Sequence, residues 1–138
     1  MLWNVRPITP KDADAVSMLL DQLGYKVPPA QVERHAGEDG SAVLVVEEDG
    51  RVIGMVATHT RWHLHHDGLV TSIDSLVVDP EIRSQGAGAA LVEAVCADAG
   101  RAGARMVELH SHQSRLDARR FYERHGFEVT SNYFVKQL

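Results

Sequence analysis

The stretch "VVDPEIRSQGAGAALV", Val77 to Val92, joins an apolar run to an alanine-rich helix through two closely spaced glycines. A turn alone needs one glycine, but residues 83–88 read "RSQGAG". Helix N-termini carry unsatisfied N–H groups and a partial positive charge, and glycines let a ligand approach the backbone closely. The stretch therefore predicts either a loop that binds a phosphate group, with Arg83 adding a charged contact, or a tight turn with a solvated arginine.

Two well-known phosphate loops do not fit this stretch. A dinucleotide fingerprint needs G-x-G-x-x-G, and Leu91 stands where its third glycine belongs; a Walker loop needs a Gly-Lys pair, which the sequence lacks. A third pattern, R-x-x-G-x-G, is matched by Arg83, Gly86 and Gly88. Further along, "DARRFYERHGF", Asp117 to Phe127, matches the pattern A-x-x-F-Y-x-x-x-G-F.

These two patterns, in this order, resemble the acetyl-CoA signature and a later motif of the GNAT N-acetyltransferase superfamily. The resemblance covers essentially the whole chain and implies one domain over residues 1–138 that binds acetyl-CoA. It implies that the backbone of the strand before the loop pairs with the pantetheine arm, and that backbone N–H groups of the loop hold the pyrophosphate. The strand residues are Leu76, Val77 and Val78, and the loop residues are Arg83, Ser84, Gln85, Gly86, Ala87, Gly88 and Ala89.

The fold class implied by the resemblance is α/β (α+β), with a mixed, mostly antiparallel sheet flanked by helices. Local patterns predict the same elements. Thr9 is a helix N-cap followed by Pro10 and Asp12, and Ala15, Met18, Leu19 and Leu23 lie at helical spacing before Gly24. The other predicted elements are a helix near residues 29–36, a hairpin at Asp49-Gly50, a strand in "LVTSIDSLVVD", a helix from Gly86 to about Ala102, a strand in "RMVELH", a helix in "RLDARRFYERHG" and closing strands in "FEVTSNYFVKQL". The strand–helix–strand order near residues 70–110 predicts a parallel pair.

The resemblance assigns a chemical role to Tyr122. In many relatives the tyrosine of this motif lies near the sulfur of CoA and protonates the departing thiolate. A phenol stays neutral at pH 7, and its ordinary pKa of about 10 lies near that of a thiol, about 8.5. The alternative is a core aromatic beside Phe121. Many relatives carry an asparagine before this motif, where the chain has His112 or Arg115, so Arg115 is either a CoA contact or a solvated charge.

At the acceptor end, the attacking amine must be neutral, and an alkylammonium has a pKa of about 10.4, so a base or a water chain helps. Asp74 stands on the strand that leads into the loop, where some relatives carry an acidic residue. It lies two residues before Leu76, so in a regular strand the two share a face. Asp74 is therefore either the general base or a hydrogen-bonding strand residue.

Four of the eight histidines fall within one short segment, at His59, His63, His65 and His66. The surrounding "RWHLHHDG" is polar and predicts a loop or a frayed strand end. His63 and His65 would share a face of an extended segment, but no third ligand stands at a diagnostic spacing and no cysteine lies nearby. The sequence assigns no metal, and it leaves a solvated loop and an acceptor contact as alternatives.

Composition limits the other classes of function. The net charge is −5, so no basic field points to nucleic acid. No apolar run or leader predicts a membrane span or export. Because the chain has a single cysteine, Cys96, it cannot form an internal disulfide, which favours a cytoplasmic protein. Cys96 itself is expected to be a small buried residue of a helix.

The expected reaction is transfer of an acetyl group from acetyl-CoA to a primary amine of a small molecule, by direct attack in a ternary complex. Acetylation of a protein or peptide amine, a non-catalytic acyl-CoA sensor, and a metal protein built on the histidine segment are the alternatives. A homodimer is possible, but nothing in the sequence requires one.

Overall fold

The computed structural model describes residues 3–82, 85–111 and 116–138, and it divides into two compact units, Met1–Glu108 and Leu109–Leu138. Within the described residues, the strands are β1 (Asn4–Pro7), β2 (Ser41–Glu48), β3 (Arg51–His63), β4 (Gly68–Val78) and β5 (Met106–Leu109). The helices of those residues are α1 (Ala13–Gln22), α2 (Pro29–Gly37), α3 (Ala87–Arg101) and α4 (Leu116–Arg124). This mixed α/β architecture with a mostly antiparallel sheet confirms the predicted fold class. That the two units form one domain stays a prediction.

The β2–β3 hairpin turns at Asp49-Gly50, as the sequence predicts. Asp49 has a φ of 51° and Gly50 a φ of 78°, so both central residues adopt the positive φ that a type I′ turn requires. Glu48 and Arg51 face each other across this turn. The turn therefore fixes the register of the two strands and, with it, the face on which each side chain lies.

The sheet follows the chain, with the strand order β1-β2-β3-β4-β5. The pairs from β1 to β4 are antiparallel. β5 begins beside the start of β4, where the backbone N–H of Arg105 donates to the Leu69 carbonyl oxygen at 2.8 Å. Because both strands start at the same edge, the helix between them acts as the crossover connection that a parallel pair needs.

Helices cover both faces of the sheet. On one face, α1 and α2 pack over a buried cluster whose members are Val16, Leu19, Leu20, Val32, Val43, Val45, Met55, Ala57 and Val77. Val46 and Val56 alternate with members of that cluster along β2 and β3 and are fully buried on the opposite face. α3 contacts β2, β3 and β4, and it buries Leu91. The sheet is therefore the middle layer of the first unit.

A carboxylate organises the start of α1. The backbone N–H and the hydroxyl of Thr9 donate to Oδ2 of Asp12 at 2.8 and 3.0 Å, and Pro10–Asp12 forms a short 3₁₀ turn. Arg6 donates to both carboxylate oxygens at 2.7 and 3.0 Å. The hydrogen bond from Arg6 is the largest cause that lowers the pKa of Asp12 to about 2, although burial opposes the shift. The predicted cap at Thr9 and the predicted acidic first turn are confirmed.

Two helix residues are more exposed than the sequence predicts. Met18 was assigned to the apolar face of α1 but is 71% exposed, because the helix instead buries Val16, Leu19 and Leu20. Cys96 is also exposed, since the buried side of α3 runs through Val92, Val95 and Ala99. Partial desolvation raises the pKa of the Cys96 thiol.

The histidine-rich segment is more ordered than a loop. β3 continues through residues 61–63, which pair with the first residues of β4, including Trp62 with Leu69 and His63 with Gly68. The prediction of a loop or a frayed strand end is therefore wrong for residues 61–63, which are paired strand residues. Only residues 64–67 form the turn.

The second unit contains α4 and a terminal segment. α4 is preceded by residues outside the described ranges and is followed by a turn at Gly126, which has a φ of 88°. The predicted closing strands are wrong, because residues 127–138 adopt no strand in this structure. The segment is rich in residues that favour strands, but a strand also requires a partner edge, and the apolar side chains Tyr133, Phe134 and Val135 remain exposed.

Within the described ranges, no helix has the length and apolar character required to cross a membrane.

Candidate active site

A β-bulge in β4 sets the position of Asp74. Ser75 pairs with Ala57 and Ile73 pairs with Thr58, so Asp74 is the extra residue between them. An extra residue bends its strand and changes the direction of the side chain that it carries. Asp74 is exposed although Ile73 beside it is buried.

Two histidines converge on this carboxylate. Nδ1 of His59, on β3, lies 2.8 Å from Oδ1 and 3.1 Å from Oδ2 of Asp74. Nε2 of His35, on α2, lies 3.9 Å from Oδ2. This nitrogen is buried, and among the described residues it has no hydrogen-bond partner. The three side chains are each about one-third exposed, so solvent and small molecules reach them.

The His59–Asp74 pair is suited to proton transfer. A carboxylate that accepts a hydrogen bond from Nδ1–H fixes the orientation and the tautomer of an imidazole ring. In that tautomer, Nε2 of His59 is the basic nitrogen. In many acid–base sites one group transfers the proton and a second group orients the first. His59 and Asp74 are arranged for these two roles, with the imidazole as the transferring group and the carboxylate as the orienting group.

The bulge corrects one prediction about the strand. Asp74 does not share the face of Leu76, because Leu76 pairs with Val56 while Asp74 bonds to His59, and Val56 and His59 lie three residues apart on β3. Side chains three apart on a regular strand point to opposite faces. Asp74 therefore lies on the face covered by α1 and α2.

His35 could not be predicted as a site residue from the sequence. It lies on a different element from Asp74 and far from it along the chain, and "VERHAG" carries no motif that marks it. Packing of α2 against the sheet brings it to the carboxylate. No sequence signal could have found it.

The end of β4 carries the predicted pantetheine strand. Val77 is buried, Leu76 and Val78 are half-buried, and β4, with eleven residues, continues past the four-residue β5 that starts beside it. The strand ends at Val78, and the carboxylate of the next residue, Asp79, accepts hydrogen bonds from the Glu81 N–H at 3.0 Å and from Arg51 at 2.8 Å. These bonds fix the point where the chain leaves the sheet for the glycine segment.

The described part of the glycine segment forms the start of α3. Gly86 is the N-cap residue with a φ of 98°, in the left-handed region that favours glycine. The indole N–H of Trp3 donates to the Gln85 carbonyl oxygen at 3.1 Å and lies 3.2 Å from where a Cβ of residue 86 would stand. Ala87 is buried, whereas Gly88 and Ala89 are half-buried. The predicted start of a helix at Gly86 is confirmed, while the choice between a phosphate loop and a tight turn stays open.

Four of the candidate residues lie outside the described residues: Arg83, Ser84, His112 and Arg115. Their proposed contacts stay predictions.

Tyr122 stands on α4 in the second unit. It is half-buried, and its ring makes edge-to-face contacts with the rings of Phe121 at 5.2 Å and Phe127 at 5.6 Å between centroids. The exposed neighbour Arg119 pairs with Glu123 at 3.0 Å on the same helix. Phe121 and Tyr122 are equally half-buried, so the motif forms a small aromatic cluster within this unit.

The other histidines of the segment form a separate cluster at the β3–β4 turn. His63, His65 and His66 each offer a ring nitrogen, and these nitrogens lie within 4.8 Å of one another. The pKa of His63 is lowered, first by desolvation of its ring and then by the positive charges of Arg61, His65 and His66, against an opposing effect of Glu108. The spacing along the sequence indicated no third metal ligand beside His63 and His65, whereas the turn brings the ring of His66 next to them.

Comparison with known proteins gives the same assignment along most of the chain. The model of the acetyltransferase (GNAT) family matches residues 13–127. The chain is 32% identical to an aminoalkylphosphonate N-acetyltransferase of Salmonella typhimurium, over 98% of this chain and 91% of that protein. It is 27% identical to an uncharacterized N-acetyltransferase of Bacillus subtilis, over 94% and 93% of the two chains.

The fold is found in solved structures as well. An acetyltransferase of Trypanosoma brucei superimposes with a TM-score of 0.84, over 99% of this chain and all of that chain, at 24% identity. At this identity the likeness concerns the fold, and the functional residues have to be argued from the site.

Proposed function

Because this chain belongs to the acetyltransferase (GNAT) family and is an acetyltransferase, we propose that it transfers the acetyl group of acetyl-CoA to a primary amine of a small molecule. The amine nitrogen attacks the thioester carbonyl directly, the C–S bond breaks, and CoA leaves as a thiol. The observation that carries the proposal is the His59–Asp74 pair at the bulge, just before the predicted pantetheine strand.

The co-substrate is proposed to lie along the end of β4 and across the start of α3. The backbone of Leu76, Val77 and Val78 would bind the pantetheine arm, and the backbone N–H groups of residues 83–89 would bind the pyrophosphate. The described part of the loop fits this role, because the positive φ of Gly86 starts a helix whose first N–H groups have no intrahelical acceptor. Arg83 adds a charged contact to a phosphate oxygen.

We assign the proton-accepting role to His59 and a positioning role to Asp74. An ammonium group must lose a proton before it can attack, and an imidazole accepts protons near neutral pH. The carboxylate of Asp74 fixes the ring at 2.8 Å and stabilises the imidazolium that forms. The sequence left Asp74 as either the general base or a hydrogen-bonding strand residue; the proposal assigns it the second role, and its support is the imidazole of His59 at 2.8 Å from the carboxylate.

At the other end of the reaction, Tyr122 is proposed as the acid. Its hydroxyl donates a proton to the sulfur as the C–S bond breaks. The support is the A-x-x-F-Y-x-x-x-G-F motif that places Tyr122 in this family position.

The acceptor is proposed to be a small aminoalkyl compound, and aminoalkylphosphonates are the first class to test. The support is the Salmonella relative, which matches nearly the whole chain and is named for that substrate class. The segments proposed to border the acceptor, residues 20–40 and 59–70, carry the acidic residues Glu33, Glu38, Asp39 and Asp67. These carboxylates would equally suit a diamine or polyamine. A panel containing both classes discriminates between these acceptors.

Co-substrate binding is tested by isothermal titration with acetyl-CoA. We expect saturable binding by the wild-type chain and a large loss of affinity in Arg83→Glu, because that change places a carboxylate against the pyrophosphate. Arg101→Glu, at the far end of α3, is the matched control and should bind as the wild type does. Unchanged binding by Arg83→Glu would remove this arginine from the phosphate site.

The base is tested by steady-state kinetics with His59→Gln, Asp74→Asn and the control Asp98→Asn, an exposed carboxylate on α3. General acid–base groups contribute about 10² to 10⁴ in rate, so kcat should fall by that range in His59→Gln and by less in Asp74→Asn. A wild-type kcat in His59→Gln would show that water alone removes the proton.

Tyr122→Phe tests the acid. It retains the ring and its contacts with Phe121 and Phe127 and removes only the hydroxyl, so acetyl-CoA affinity should be kept while kcat falls. Full turnover by Tyr122→Phe would exclude the hydroxyl as the proton donor.

A further inference from the structure

We propose that the β3–β4 turn binds one transition-metal ion of the zinc type through His63, His65 and His66. The ring nitrogens that these residues offer lie within 4.8 Å of one another. The ring centroids are separated by 5.0 Å for His63–His65, 5.1 Å for His63–His66 and 4.8 Å for His65–His66. The three imidazoles therefore form a compact triangle on a short piece of chain.

The backbone that carries the triangle is fixed from both sides. His63 pairs with Gly68 at the base of the turn, and the Asp67 N–H donates to the Leu64 carbonyl oxygen at 3.3 Å. Arg105 donates from Nε to the Asp67 carbonyl oxygen at 3.3 Å and packs directly over Gly68. Only small side-chain rotations are then needed to bring three ligands to one ion.

The separation between the nitrogens suits such an ion. Zinc–imidazole bonds are about 2.0–2.1 Å long, so two nitrogens on a tetrahedral ion stand about 3.3 Å apart. The nitrogens of the turn need to approach by about 1.5 Å at most to reach that spacing. Rotation about the side-chain bonds of the exposed His65 and the half-buried His66 covers that distance.

The donor set selects the class of metal. Neutral imidazoles suit zinc, nickel and copper, whereas magnesium and calcium prefer oxygen ligands. Three histidines leave one tetrahedral position for water or another ligand. Nδ1 of His63 is buried and, among the described residues, has no hydrogen-bond partner, so an ion ligated through Nδ1 would compensate this polar atom for its withdrawal from water.

The proposed metal site is separate from the proposed base. His63 follows His59 by four residues on β3, a distance of about 13 Å along a strand. A failure of the metal proposal would therefore leave the acetyl-transfer proposal standing, and the reverse holds as well.

The test is isothermal titration of zinc chloride into the full chain. The protein is purified without a histidine tag and freed of metal with a chelator. We expect saturable binding of one ion per chain. Removing a residue that only hydrogen-bonds to a metal ligand typically lowers metal affinity about 10–100-fold. His65→Ala and His66→Ala each remove a ligand itself, so each should weaken zinc binding by at least about tenfold. His125→Ala, which changes the histidine directly after α4, is the control and should bind zinc as the wild type does.

Two further measurements distinguish the turn from other zinc-binding groups. Cobalt(II) added in place of zinc should give the intense visible absorption bands of a four-coordinate ion, and these should disappear in His65→Ala. Asp74→Asn, which disrupts the other histidine cluster, should leave zinc binding unchanged. The proposal is overturned if the wild type shows no saturable binding, if the turn variants bind normally, or if Asp74→Asn removes the site. Far-UV circular dichroism confirms that each variant is folded.

Discussion

The Arg6–Asp12 pair makes acid stability a quantitative test of the structure. Asp12 has a pKa of about 2 in the folded chain, against 3.8 for the ordinary group. Because the folded pKa is depressed, the stabilisation is present above the unfolded pKa and is lost as the pH falls through the folded pKa. At 1.36 kcal/mol per unit, the shift corresponds to about 2 kcal/mol of folding stability at neutral pH.

We expect Asp12→Asn to lower the free energy of unfolding by about 2 kcal/mol near pH 7. Arg6 keeps its second partner, Glu47, at 3.2 Å, so the substitution does not leave the arginine unpaired. The difference between wild type and variant should shrink as the pH falls below about 4, because Asp12 of the wild type is progressively protonated there.

The assay is urea unfolding followed by far-UV circular dichroism, near pH 7 and at steps down to about pH 3, for both chains. Asp98→Asn removes an exposed carboxylate that pairs with Arg101 on the surface of α3, and it should change stability by less than about 0.5 kcal/mol. A difference between wild type and Asp12→Asn that stays constant over this range, or that matches Asp98→Asn at pH 7, would refute the reasoning.

Two packing predictions follow from burial and backbone geometry. Leu91→Ala should cost about 2–5 kcal/mol of unfolding free energy, because Leu91 is fully buried, whereas Met18→Ala at an exposed helix position should cost less than about 1 kcal/mol. Gly40→Ala should lower the free energy of unfolding by more than about 1 kcal/mol, because φ is 81° and a Cβ would stand 2.6 Å from the Thr60 carbonyl oxygen. Gly37 has open space around it, so Gly37→Ala should leave the stability unchanged or raise it slightly. Urea unfolding measures all four; equal effects within either pair would contradict the assigned burial or strain.

Local chemistry accounts for most of what the sequence predicted correctly. The type I′ turn at Asp49-Gly50, the cap at Thr9 and the glycine at the start of α3 each depend on the backbone preferences of one or two residues. Such preferences act over a few bonds, so the sequence alone contains them. The two motifs that indicate the family are likewise short strings with fixed spacing.

The wrong predictions concern choices between partners that local patterns do not contain. An apolar residue at helical spacing, such as Met18, can fall beside the buried stripe, and the sheet decides which side is covered. The composition of residues 127–138 is compatible with a strand, but strand formation depends on a neighbouring edge. Neither decision can be made from the segment itself.

The sequence by itself determined the family, the order of the elements as far as α4, the glycine segment and the candidate residues Asp74 and Tyr122, because each is written in contiguous residue types. Only the tertiary structure decided that a bulge directs Asp74 towards His59, that α2 adds His35, and that a tight turn gathers three imidazoles. The physical reason is that these contacts depend on the register between strands and on how helices pack on the sheet. Both are set by the whole buried core, and no short segment specifies them.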